Sequence, residues 1–166
     1  MQRPFNVLFL CTGNSARSIM AEALLNRLGQ DNFKAFSAGV SPKGEIHPLT
    51  LELLAQHNLD TSTLRSKGWE EFAHPDAPKM DFILTVCDQA AGEQCPAWPG
   101  QPITGHWGFS DPTAVTESDA AQWGAFNKVY HEIGNRLRIF LSLPLNKLDR
   151  ISLQQAMRTI NNSSTN

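Results

Sequence analysis

Two apolar runs, Val7-Leu8-Phe9-Leu10 and Phe82-Ile83-Leu84-Thr85-Val86, each end directly on a cysteine, Cys11 and Cys87. Short, continuously apolar runs read as strands covered on both faces, the condition of a parallel sheet. From Ser18 the pattern turns helical: Met20, Ala23, Leu24 and Leu28 share one stripe, and Gly29 supplies a stop. Residues 33–37 form a short strand candidate closed by Ala38-Gly39. Ile46, Leu49, Leu53 and Leu54 mark a second helix, with Pro48 tolerated in its first turn. Residues 67–78 read as a weak helix followed by a Pro-rich loop. Phe126, Val129, Tyr130, Ile133, Leu137, Phe140 and Leu141 mark the longest helix, and residues 152–160 a last short one. Strands alternating with helices predict an α/β domain with a parallel sheet and right-handed crossovers. In such sheets ligands bind beyond the carboxyl ends of the strands, where both cysteines fall.

A chain of 166 residues fits one domain, here residues 1–160, with the polar stretch 161–166 expected to be a disordered tail. The formal charge of -2 excludes a sequence-independent grip on nucleic acid, so any anion site must be built locally. The apolar segment 5–10 is too short for a bilayer span or a signal-peptide core, which leaves no membrane role and a cytoplasmic location as the expectation. Three cysteines leave one over from any simple disulfide pairing, and in a reducing compartment they are more often buried, metal-bound or reactive.

Cys11-Thr12-Gly13-Asn14-Ser15-Ala16-Arg17-Ser18 sets a cysteine after a strand and an arginine at the start of a helix. So tight a loop turns backbone N–H groups inward, forming a nest for a tetrahedral anion. The helix amino terminus adds free N–H groups and its positive dipole end. Arg17 offers two parallel hydrogen bonds to anion oxygens. The same field is expected to lower the pKa of Cys11, whose thiolate is the nucleophile. Gly13 is expected to permit the tight backbone, Ser18 to hydrogen-bond the thiolate and Asn14 to brace the loop. A nucleotide P-loop is excluded, because no lysine stands where one is required.

This segment resembles the signature loop of the low-molecular-weight protein tyrosine phosphatases and of the arsenate reductases that share their fold. The likeness runs over residues 7–141 and implies a four-stranded parallel sheet flanked by helices. Many relatives carry a cysteine immediately before the arginine, where this chain has Ala16. The resemblance makes Asp111, of the Asp111-Pro112 pair, the general acid for the leaving oxygen. Trp107 and Phe109, in His106-Trp107-Gly108-Phe109, read as packing residues.

A phosphocysteine can only be hydrolysed, whereas a cysteine-bound arsenate is reduced if a second thiolate attacks the first sulfur. Cys87 and Cys95, separated by seven residues, supply further thiols, and the arrangement resembles the triple-cysteine arsenate reductases. The expected relay runs from Cys11–Cys87 to a final Cys87–Cys95 disulfide, with no bound cofactor and an external thiol reductant, thioredoxin or glutaredoxin with glutathione. The segment 87–112, rich in Gly and Pro, is long enough to be functional or mobile. A phosphomonoester hydrolase is the alternative. Against it, Tyr130, the only tyrosine, falls on a core stripe, and Thr113-Ala114 follows the Asp-Pro pair without an aromatic wall.

No metal site is expected: the histidines at 47, 57, 74, 106 and 131 lack ligand spacing, and no Cys-x2-Cys pair is present. Some reductases of this fold hold potassium with an Asn, a Glu and a Ser. Asn14, Glu22 and Ser37 match these, and Lys67 is a candidate replacement for the ion.

Overall fold

A computed structural model describes residues 3–87, 98 and 100–162. Strand β1 (Phe5–Cys11) lies inside a sheet of order β2-β1-β3-β4, with β2 at Phe33–Gly39, β3 at Phe82–Thr85 and β4 at Ile103–His106. Every pairing is parallel, with Phe9 opposite Ser37 on one side and Leu84 on the other. Val7 to Leu10 are therefore shielded on both faces and almost fully buried. Alternate residues serve opposite layers: Val7, Phe9 and Cys11 join the larger core cluster, Leu8 and Leu10 a smaller one with Phe72, Met80 and Ile83. Each large apolar side chain so buried stabilises the fold by roughly 1.5–3 kcal/mol.

Helix α1 (Arg17–Gly29) follows β1 after five residues, and α2 (Pro48–Gln56) begins on Pro48 with His47 as its cap. Helix α3 (Asp119–Leu141) is capped by Ser118 and buries the predicted stripe from Phe126 to Phe140. Helix α4 (Arg150–Asn162) packs on β4, with Met157 against Gly105 and its carbonyl accepting from the buried Trp107 indole at 3.1 Å. It runs through Asn161, whose Oδ1 accepts from Gly108 N–H, so helix occupies the first two positions of the stretch read as a tail. Residues 163–166 lie outside the described residues.

Three expectations shift. Residues 67–78 form only one 3-10 turn, Trp69–Phe72, ahead of the proline-bearing loop. Ile46 precedes α2, because Pro48 fixes the first turn. The segment read as one long loop contains β4, the strand that completes the sheet. The order reverses between β1 and β3, the switch point of the fold, and Cys11 and Cys87 emerge on either side of it.

Candidate active site

Residues 11–17 wrap a cavity of about 160 Å3, with Ser41, Lys43, Asp111 and Thr113 at its rim. That is below the roughly 300–1,000 Å3 of ordinary ligand pockets, a size for a small ion. The loop's carbonyls are taken up by the chain leaving β2. Cys11 O accepts from Val40 N–H at 3.1 Å, Thr12 O from Ser41 N–H at 2.9 Å and Gly13 O from Lys43 N–H at 3.0 Å. Ser15 O accepts from His47 N–H at 3.0 Å and from the Thr50 hydroxyl at 2.9 Å. The N–H groups of residues 13–16 have no protein acceptor among the described residues, the condition of an anion nest. Helix α1 brings no capping side chain and no acidic residue in its first turn, which leaves its positive end available.

The loop's left-handed residue is Asn14, with φ 48°. An asparagine tolerates this conformation when its side chain is bonded locally, and Asn14 is completely buried and tied on both ends. Its Nδ2 donates to Ser18 Oγ at 2.8 Å and Ser37 Oγ at 3.0 Å, and its Oδ1 accepts from Lys67 N–H at 2.9 Å. The partner of the Ser18 hydroxyl is thus Asn14; no hydrogen bond joins Ser18 to Cys11 among the described residues. Gly39 is required by close approach: a Cβ there would stand 2.7 Å from Thr12 O.

Cys11 and Cys87 are both buried free thiols, near enough for Cys87 to act on the titration of Cys11. The Thr12 hydroxyl lies 3.3 Å from Cys87 Sγ. Cys87, with burial, pushes the Cys11 thiol up against the opposing pull of Arg17 and the Thr12 N–H. The expected lowering of the Cys11 thiol is therefore not found. The two neighbouring thiols titrate as a pair in which Cys11 takes the later ionisation, opposed by Cys87. Cys95 falls outside the described residues.

Arg17 Nη1 donates to Phe109 O at 3.0 Å, and Nη2 lies 3.8 Å from Asp111 Oδ2. Burial tends to raise the Asp111 carboxyl, but hydrogen bonds from the Thr113 hydroxyl (2.6 Å) and N–H (2.9 Å), with Arg17 and Lys43 nearby, hold it below the usual range. From α3, Arg136 donates to Gly108 O at 2.7 Å and lies 4.1 Å from the centre of the buried Phe109 ring. Two arginines thus fix consecutive carbonyls ahead of Asp111.

Beneath the loop, Lys67 Nζ stands 3.6 Å from Glu22 Oε1 and 3.5 Å from Ser37 Oγ, and donates to Arg65 O at 2.8 Å. Ser37 donates to Glu22 at 2.6 Å. Burial raises the Glu22 carboxyl and lowers the Lys67 ammonium, each opposed by the other's charge.

The family model described as low molecular weight phosphotyrosine protein phosphatase matches residues 6–154. The chain belongs to this family. It is 35% identical over 134 residues to an arsenate reductase of Bacillus subtilis, covering 81% of this chain and 93% of that one. Among solved structures, an arsenate reductase from Archaeoglobus fulgidus superposes with TM-score 0.64 at 30% identity, over 82% of this chain and 99% of its own. A thioredoxin-dependent arsenate reductase of Corynebacterium glutamicum gives TM-score 0.63 at 26% identity, over 88% of this chain and 65% of its own.

For a member of the phosphatase family, the cavity is notable for having no aromatic side chain in its lining among the described residues. Tyr130 instead stacks on His57, with ring centres 4.4 Å apart. Trp107 and Phe109 are buried packing residues, as expected. His47 bonds the loop through its backbone and caps α2 with Nδ1, and His106 Nδ1 lies 2.8 Å from Thr85 Oγ1. Among the described residues no group of three His, Cys, Asp or Glu is arranged to hold a metal. Lys43, Gly39 and Arg136 escape the sequence reading. Each acts across the fold and carries no local pattern; the order of β2 beside β1 is the signal that would have singled out the segment bearing Lys43.

Proposed function

We propose that this chain is an arsenate reductase that works through Cys11, Cys87 and Cys95. The observation that carries the reading is a second buried thiol, Cys87, 3.3 Å from the Thr12 hydroxyl of the loop and beside an oxyanion-sized cavity lined by Cys11. The curated relatives named arsenate reductase support it.

In the proposed reaction the Cys11 thiolate attacks arsenic(V). An S–As bond forms, an As–O bond breaks, and the oxygen leaves as water with a proton from Asp111. Residues 12–18 bind the remaining oxygens through backbone N–H groups, and Arg17 contributes its charge. Cys87, as thiolate, then attacks Cys11 sulfur. The S–S bond forms, and the S–As pair passes to arsenic, which leaves as arsenite; the two sulfurs are each oxidised by one electron. Cys95 next attacks Cys87, releasing the Cys11 thiolate and leaving a Cys87–Cys95 disulfide. An external dithiol reduces that bond. Thioredoxin is the first candidate, in line with the neighbour described as thioredoxin-dependent, and glutaredoxin with glutathione the second.

Asp111 needs its proton for this step, yet Thr113, Arg17 and Lys43 favour its ionised form. The incoming anion's charge raises the carboxyl's proton affinity, so substrate entry itself loads the acid. The oxygens of Glu22, Ser37 and Arg65 already surround the Lys67 ammonium, so the place a potassium ion would take is filled. We read Lys67 as its replacement. A cytoplasmic location agrees with the absence, among the described residues, of any helix long and apolar enough to cross a membrane.

The family's phosphatase chemistry is the second reading, favoured by the pairing of Arg17 with Asp111. Replacing Cys87 or Cys95 by serine separates the two. Arsenate turnover is expected to be lost in both variants while any phosphomonoester hydrolysis survives; arsenate turnover untouched in both would defeat the relay.

A further inference from the structure

We propose that Lys43 is a second cationic arm of the oxyanion site, selecting doubly charged tetrahedral anions over singly charged or neutral ligands. The residue lies in the segment between β2 and α2, whose backbone is laced to the loop: Ser41 N–H donates to Thr12 O at 2.9 Å and Lys43 N–H to Gly13 O at 3.0 Å. This pins the start of the side chain. Its stem lies over Gly13, with Cγ, Cδ and Cε 3.2–3.4 Å from where a Cβ of residue 13 would stand. Gly13 thus leaves room for the Lys43 stem.

The side chain shares the cavity lining with Cys11, Arg17 and Asp111. Its ammonium makes no hydrogen bond or ion pair among the described residues, although Asp111 is close enough to feel its charge. Charge counting shows what such a cation does. Arg17 and the ionised Asp111 cancel, and His47 is held below its usual pKa by burial, with Lys43 adding to the effect, so it adds no charge near neutral pH. Without Lys43 a dianion meets a rim of no net charge and only the loop amides. With it, the site carries one uncompensated positive charge on a flexible stem that reaches into the cavity.

The inference deepens the reductase reading by naming what selects its substrate, and its test does not depend on turnover. Inorganic phosphate binding is measured by the protection it gives Cys11 against iodoacetamide, in the unaltered protein, Lys43→Gln and Lys43→Arg. Lys43→Gln is expected to weaken phosphate about tenfold, roughly one well-placed charge-assisted contact. Lys43→Arg should stay near the unaltered value, and added salt should shrink the difference. In arsenate turnover the glutamine variant should raise KM by a similar factor. Phosphate affinity unchanged within twofold in Lys43→Gln overturns the proposal. So does an equal loss in Lys43→Arg, or a parent protein that phosphate does not protect. A protein that binds phosphate as described but never reduces arsenate would sink the reductase reading and leave the role of Lys43 standing.

Discussion

Arg17 Nη2 lies 3.8 Å from Asp111 Oδ2, so the anion-binding arginine and the candidate acid are partners before any substrate arrives. The Asp111 side chain is 44% exposed, and the ion pair alone is worth little in such surroundings. Its consequence lies in binding and chemistry.

Substituting Asp111→Asn removes a negative charge from the rim and the proton source together. Phosphate is expected to bind more tightly, while arsenate turnover falls by about 10²–10⁴, the usual worth of a positioned acid. Parallel phosphate titrations and initial rates check this. A variant that loses both, or neither, would show that the carboxylate serves only the turn it forms with Thr113.

The Cys11–Cys87 pair makes a prediction about pH. Cys87 is the largest influence raising the Cys11 thiol, and Arg17 pulls the other way. Cys87→Ala removes the first and leaves the second. The midpoint pH for alkylation of Cys11 by iodoacetamide should therefore move down. An unmoved or rising midpoint would mean that burial, and not the neighbouring sulfur, governs the nucleophile.

How much of this is visible in the chain depends on the distance over which residues cooperate. The stretch from β1 through the loop into α1 is contiguous, and apolar strand, Cys11, Arg17 and the Met20–Leu24 stripe declare themselves. Cys87 is legible for the same reason, at the end of β3. Strand β4 is not: four residues with Gly105 among them offer no apolar run. Asn14 takes the left-handed position because Ser18, Ser37 and Lys67 converge on its amide, and no local pattern in the loop announces it. Lys43 and Arg136 become functional neighbours only after the sheet is assembled.

The buried Lys67–Glu22 pair sets up a test by replacement. Lys67→Ala leaves a buried carboxylate without its cation, a loss of about 3–5 kcal/mol in denaturant unfolding. The vacated space keeps oxygens from Glu22, Ser37 and Arg65. The variant's melting temperature should therefore rise in potassium relative to a larger organic cation, whereas the unaltered protein should be indifferent. Strong potassium dependence in the unaltered protein would contradict the assignment of Lys67.

The most direct measurement is a single turnover in Cys95→Ser. Reduced enzyme is mixed with arsenate in the absence of reductant, quenched in acid, and examined for arsenite and for disulfide connectivity by mass spectrometry. The account predicts about one arsenite per active site, following the two-electron balance of one disulfide, and a trapped bond between Cys11 and Cys87. Arsenite formed with those two sulfurs still reduced, or no arsenite while Cys11 remains fully reactive, would contradict it.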